Sequence, residues 1–365
     1  MKAIGIILAG GNSRKMKELT AKRAMAAMPM AGSFRAVDFA LSNMSHSGIG
    51  TVAIVTQYSS RSLNEHLNSS KWWDFGRKNG GLYLFNPTIT ADHKEWYRGT
   101  ADAIAQNLDF LKERHEPYVV IASGDGIYKM DYTDVIRYHS QQDADITVVC
   151  KELPAGSDVS RYGVLETDEN GQLVNWEEKP VKSAYTTINC GVYVIRRRLL
   201  IALMEQCLEE DWTDFVRDVI IRQKNAKKIM TYKLDSFWAN INTVQAYYDT
   251  NMEFLKPDVR KHFFFEYPAV QTKVDDYAPA KYNPGAKVAN SLIANGVITN
   301  GTVENSILFK KVFVGKNTTI KNSIVLADAY ISDNVVLENC IVETKVNIPE
   351  GTVYKGTPDK ILVVK

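Results

Sequence analysis

The tightest constraint in this chain is a repeat. Val303-Glu304-Asn305-Ser306-Ile307, Ile320-Lys321-Asn322-Ser323-Ile324 and Leu337-Glu338-Asn339-Cys340-Ile341 set an asparagine every 17 residues, and Asn290-Ser291-Leu292 starts an earlier copy 15 residues before Asn305. Within a coil, apolar residues recur in steps of six, as at Val314, Ile320 and Leu326. A six-residue step with about three steps per turn is the pattern of a parallel β-helix, in which each coil stacks on the last. A β-sandwich with three similar strands is the plainer alternative. The repeat fixes residue identity as well as hydrophobicity, which favours the β-helix. Many β-helices of this kind are acyltransferases that need a histidine base. The six histidines (His46, His66, His93, His115, His139 and His262) all precede residue 263, so this region is read as a packing and assembly module.

The N-terminal two-thirds has another texture. Ile4–Leu8, Thr51–Thr56, Tyr118–Ala122 and Ile146–Cys150 are short, continuous and rich in β-branched residues. Unbroken apolar runs mark strands covered on both faces, as in a parallel sheet. Helix-like segments such as Ala101–Arg114 lie between them, which predicts a doubly wound α/β domain. Residues 163–176 alternate around Glu169-Asn170-Gly171 and predict a hairpin. The expected organisation is an α/β domain over 1–252, a polar, aromatic-rich connector over 253–283 and the β-helix over 284–365.

Composition narrows the function classes. The 365 residues carry 44 Lys+Arg against 42 Asp+Glu, a net charge of +2. That balance argues against a dedicated nucleic-acid binder. No run approaches 18 apolar residues, so no membrane-spanning helix is expected. The apolar start of the chain ends in Gly10-Gly11 without a small-x-small cleavage site, so it reads as a first strand rather than a secretion signal. Cys150, Cys190, Cys207 and Cys340 form no CxxC pair, and a reducing cytoplasm is the expected setting.

Three motifs carry chemistry. Gly10 and Gly11 follow the first strand, where a glycine turn lets the backbone approach a phosphate; a tight strand-to-helix turn is the plainer reading. Asp125 leaves the carboxyl end of a central strand, where open α/β sheets bind ligands and where a carboxylate can hold Mg²⁺; a turn-capping Asp is the alternative. Lys179, in Glu178-Lys179-Pro180, is placed to meet a phosphate as a compact cation, or is one of a run of solvated charges.

In order along the chain, LAGG at 8–11, LTAKRA at 19–24, FRAVDFALSN at 34–43, WYRGTADA at 96–103, SGDGIYKMDY at 123–132, YGV at 162–164 and EKP at 178–180 resemble the glucose-1-phosphate adenylyltransferase (ADP-glucose pyrophosphorylase) family over essentially the full length. The resemblance implies a nucleotidyltransferase domain followed by a left-handed parallel β-helix. It also implies the conversion of ATP and glucose 1-phosphate into ADP-glucose and pyrophosphate. The sugar-phosphate oxygen attacks the α-phosphorus in line, so the site needs fixed cations and metal more than a nucleophilic side chain. On the same basis Gly10 and Gly11 meet the nucleotide, and Tyr97 and Gly99 belong to the substrate-side loop. Glu178 and Lys179 contact the sugar phosphate, Asn189 lies in the sugar-site segment, Gly163 is a further substrate-binding position, and Asp125 is a Mg²⁺ ligand. Effectors in this family bind near basic residues, for which Lys22, Arg23 and Arg35 are candidates alongside a plain reading as surface charges. Arg196-Arg197-Arg198 is read as an exposed helix start.

The chain departs from the catalytic pattern where charge is needed. Catalytic members read GGxGxRLxxLT; counted back from Leu19-Thr20, the third glycine is Ser13 and the arginine is Lys15, which keeps charge but not the bidentate fork. RAKPAVPFGG becomes residues 23–32 with Met25 at the lysine position. Gly126 replaces a histidine, and Asn189-Cys190-Gly191 replaces SMG. YWRDVGT becomes Phe237-Trp238-Ala239-Asn240-Ile241-Asn242-Thr243, so the second metal carboxylate is Asn240. An amide oxygen brings no negative charge to Mg²⁺, a cation that favours carboxylates. These losses make the chain similar to the regulatory-type subunit of the bacterial enzyme, which works with a catalytic partner in a hetero-oligomer, expected to be a tetramer. An active adenylyltransferase and a non-catalytic nucleotide or sugar-phosphate sensor are the alternatives.

Overall fold

The computed structural model describes residues 2–11, 13–76, 80–88 and 95–365. Asn12 of the first glycine loop and His93 lie outside them. Two compact units form: Met1–Gly11, Phe39–Ser60 and Asn68–Trp238 make one, and Asn12–Asp38, Arg61–Leu67 and Ala239–Lys365 make the other.

The first unit is built on a nine-stranded, mostly parallel sheet. The strand Ala3–Leu8 lies between Thr51–Val55 and Tyr118–Ser123, parallel to both, with Leu8 opposite Val55 and Ser123. All three are almost wholly buried, as their unbroken apolar runs require of strands covered on both faces. Thr187–Arg196 runs antiparallel to Tyr118–Ser123 and to Ile146–Glu152, and its register breaks between Asn189 and Tyr193. Gly191, at φ 73°, supplies the left-handed residue at that break. The expected hairpin forms from Gly163–Thr167 and Leu173–Glu178.

Helical expectations need two corrections. The segment expected as one helix over 101–114 is two, Thr100–Ala105 and Leu108–Lys112. Asn107 breaks it by turning its side chain back onto the Ala103 carbonyl (2.8 Å), a local bond that competes with the helix ladder. Arg197 is not exposed: it is half-buried, and its guanidinium donates to the Glu116 and Leu111 carbonyls at 2.9 Å.

His139, on the helix Tyr132–Gln141, is fully buried, and its Nδ1 meets Thr147 Oγ1 at 2.8 Å. Its Nε2 has no hydrogen-bond partner among the described residues. Burial, helped by Arg196, pulls its pKa down to about 4. Below pH 6.5 the unfolded chain therefore binds a proton that the folded chain refuses, so this contribution is complete above 6.5 and is lost as pH falls towards 4. Melting temperature is expected to fall between pH 7 and pH 5, and His139→Gln should flatten that fall. An equal fall in both proteins would contradict it.

In the second unit, three five-stranded parallel sheets stack coil on coil from Lys281 to Val364, the architecture of a left-handed parallel β-helix. Val314, Ile320 and Leu326 are fully buried, as their six-residue spacing requires. The repeated asparagines have a conformational cause: Asn290, Asn305, Asn322 and Asn339 take φ of 42°, 45°, 46° and 51° at one corner, a region that asparagine tolerates better than most residues. The residue after each corner builds a ladder. Ser306 Oγ accepts the Ser323 amide, and Ser323 Oγ accepts the Cys340 amide, both at 3.1 Å. Phe254, Phe263 and Phe264 pack with Phe34, and Phe34 and Phe264 stack at 4.3 Å.

Candidate functional site

In the first unit, the carboxyl ends of adjacent parallel strands bring the glycine turn and the aspartate turn together. The Gly124 amide donates to the Leu8 carbonyl at 3.0 Å, and the Ala9 amide to Val55 at 2.8 Å. Asp125 is 9% exposed, and its Oδ1 accepts the Ser123 hydroxyl. Gly126 is tightly confined, because a Cβ there would lie 2.9 Å from the buried Tyr128 ring. Beside Gly10, Gln57 donates to the Tyr97 carbonyl at 3.1 Å. Tyr97 is buried, which raises its pKa, and its hydroxyl accepts from Asn107 at 3.0 Å. Gly99 is demanded by close approach: a Cβ would sit 2.3 Å from the Thr213 carbonyl, which takes the Ala101 amide at 2.8 Å.

The residues expected on the sugar side are also linked to one another. Gly163 lies under the Trp176 indole, where a Cβ would be 2.6 Å from the ring. Trp176 Nε1 donates to Glu178 Oε2 at 3.0 Å, and Glu178 Oε1 pairs with Lys179 Nζ at 2.9 Å. The Lys179 amide donates to the Tyr162 carbonyl at 3.0 Å, and the Tyr162 ring meets Trp238 edge-on at 5.6 Å. Asn189 spends its amide locally, donating to Tyr193 Oη at 2.7 Å and accepting from the Gly191 amide at 2.9 Å. Gly191 brings this turn against Ser123, where a Cβ added to the glycine would lie 3.2 Å from the Ser123 Cβ. Ser123 and Trp238 stood inside the quoted motifs without a role of their own, and Trp176 and Thr213 were given none.

In the second unit, Lys15 is exposed on the short 3-10 helix Arg14–Thr20. Met25 is 8% exposed, and Met16, Met28 and Met30 are fully buried, so these methionines fill core. Asn240 is half-buried, and its Oδ1 accepts the Asn242 amide at 3.0 Å. The side-chain oxygen of Asn240 is thus turned to the backbone two residues further on. Among the described residues, no group of three or more His, Cys, Asp or Glu is arranged to hold a metal ion. Taken singly, Asp125 keeps a carboxylate, a donor suited to Mg²⁺, whereas Asn240 offers only a neutral amide oxygen, a poorer donor for that cation.

The same unit holds a cationic cavity of about 390 Å³, lined by Arg23, Arg35, Lys273, Lys310, Lys311 and Lys345 together with Glu65, Asp275 and Asp328. Two of the basic candidates, Arg23 and Arg35, line it; Lys22 is exposed elsewhere. Arg23 Nη2 pairs with Glu343 at 2.6 Å and donates to Thr344 Oγ1 at 3.1 Å. Arg35 donates to the Ser62 carbonyl and hydroxyl at 2.6 and 2.8 Å, and burial lowers its pKa. No helix of the described residues is long and apolar enough to cross a membrane.

A mostly parallel α/β sheet with glycine and aspartate turns at its strand ends, joined to a hexapeptide β-helix, defines a nucleotidyltransferase. The Nucleotidyl transferase family pattern matches residues 4–257, and that of the GlmU-like, C-terminal hexapeptide matches residues 278–357. The chain is 35% identical over 319 residues to the glucose-1-phosphate adenylyltransferase of Thermotoga maritima, covering 86% of this chain and 75% of that one. It is 36% identical over 325 residues to that of Fusobacterium nucleatum, covering 87% and 83%. With the same-named protein of Mycoplasma mobile it shares 35% over 318 residues, covering 86% and 83%. The chain belongs to the glucose-1-phosphate adenylyltransferase family.

Proposed function

We propose that this chain is a regulatory-type subunit of glucose-1-phosphate adenylyltransferase, cytoplasmic and weakly active or inactive by itself. It assembles with a catalytic homologue, as a heterotetramer, and tunes ADP-glucose formation for glycogen synthesis. The observation that carries this reading is Asn240: a neutral amide, hydrogen-bonded to Asn242, stands where the family pattern has a metal carboxylate. Losing one such electrostatic element typically costs about 10²–10³ in rate. Asp125 retains the other carboxylate, and Lys15 keeps a charge without the arginine fork.

Binding survives better than turnover in this reading. Gly10 and Gly11 take the nucleotide, Tyr97 and Gly99 shape the substrate-side loop, and Gly163, Glu178, Lys179 and Asn189 face the sugar phosphate. The linkage from Gly163 through Trp176 to Glu178 and Lys179 supports this. It also favours the second reading, a sensor of nucleotide or sugar phosphate without turnover. The cationic cavity around Arg23 and Arg35 suits an anionic effector.

Co-expression with a homologue carrying the full GGxGxRL and WRDVGT motifs separates these readings. The subunit reading expects a stable complex whose substrate or effector saturation curve is shifted from that of the catalytic chain alone. No complex, with ligand binding retained, would leave the sensor.

A further inference from the structure

Two departures from the family's glycine pattern touch each other. Ser13, at the third glycine of the first loop, donates its hydroxyl to the carbonyl of Asn242, at the glycine of VGT, at 2.7 Å. Asn242 is itself fixed, since its amide donates to Asn240 Oδ1 at 3.0 Å. Its own Oδ1 is buried without a hydrogen-bond partner among the described residues, so the position is set by its backbone bonds. One residue on, Thr243 caps the helix Val244–Glu253 by accepting the Ala246 amide at 3.0 Å.

That helix holds the following stretch as well. Tyr247 Oη donates to the Pro29 carbonyl at 2.6 Å, and Asn251 Oδ1 accepts the Ala31 amide at 2.9 Å. Residues 13, 29 and 31 are therefore anchored to one capped helix and the turn that precedes it. The anchors at 29 and 31 hold the body of the segment, and the anchor at Ser13 holds the loop. A glycine at 13 has no side chain with which to make that bond, and glycine gives a phosphate-wrapping loop its freedom.

We propose that Ser13 and Asn242 are positioning residues forming a latch that ties the first loop to the helix Val244–Glu253 and holds it away from the arrangement that wraps a triphosphate. The chain's handicap towards nucleotide is then conformational as well as electrostatic. The assignment of this loop to the triphosphate rests on the family reading above; the latch itself does not depend on whether the chain turns over.

The test removes the donor by Ser13→Ala and Ser13→Gly and keeps it by Ser13→Thr. ATP binding is measured by calorimetry in EDTA, with no metal and no turnover. Releasing one neutral hydrogen bond is expected to tighten ATP binding about five-fold in the Ala and Gly variants. The Thr variant should bind as the native chain does. Amide exchange over residues 13–16 should quicken in the first two variants alone. Unchanged or weaker ATP binding in the released variants overturns the proposal, as does exchange that ignores the substitutions. Turnover by the native chain is measured separately with Mg²⁺ and glucose 1-phosphate, so failure of the latch and failure of the subunit reading are distinguishable.

Discussion

Asn240→Asp combined with Met25→Lys and Lys15→Arg is expected to raise ADP-glucose formation by the isolated chain about 10²-fold or more. The first change restores a negative charge where the Asn240 amide oxygen now accepts the Asn242 N–H. A carboxylate can keep that bond with one oxygen and present the other. The second places an ammonium at position 25, where Met25 is 8% exposed and a long stem lets lysine reach polar surroundings. The third restores a planar fork on an exposed turn where lysine offers only a point charge. These gains act on one transition state and will not add simply. Steady-state assay of the folded triple variant checks the expectation; no gain would mean that pocket shape or loop restraint, rather than missing charge, limits the reaction.

The second large effect is on stability. Arg23→Ala is expected to cost about 3 kcal/mol, because it strands the Glu343 carboxylate. The pair is short, at 2.6 Å, and only 12% and 16% exposed. Glu343 also accepts its neighbour's amide, from Thr344 at 2.6 Å, so it cannot turn out to water without breaking a second bond. Arg23→Ala with Glu343→Ala should therefore cost less than the sum of the single changes. Denaturant melts of the four proteins check this. Additive costs would show that the ion pair contributes little and that Arg23 matters chiefly to the cavity.

Much of the fold was legible because its causes lie in residue types. The runs over 4–8, 51–56, 118–122 and 146–150 are continuous and rich in β-branched residues, and burial on both faces leaves that signature. The repeated asparagines report a left-handed corner that few other residues tolerate. The break at Asn107 was not legible, since an asparagine in a helical run gives no sign of whether its side chain will face water or its own backbone. Among site residues, Asp125, Glu178 and Lys179 stood out as charges after strands. The acceptor that Gly99 packs against is the Thr213 carbonyl, and a backbone atom leaves no mark in residue identity. Ser123 was hidden for another reason: its hydroxyl matters only because the turn folds it onto Asp125. Neither the cavity nor the contact between Ser13 and Asn242 follows from spacing, since the partners are more than 200 residues apart in sequence.

The most direct test is the turnover of the purified, unmodified chain by itself, given ATP, Mg²⁺ and glucose 1-phosphate. A rate roughly 10²-fold or more below that of a catalytic homologue under the same conditions is the predicted result. A comparable rate from the isolated chain would contradict the claim that Asn240, Met25 and Lys15 leave this member of the family unfit to make ADP-glucose unaided.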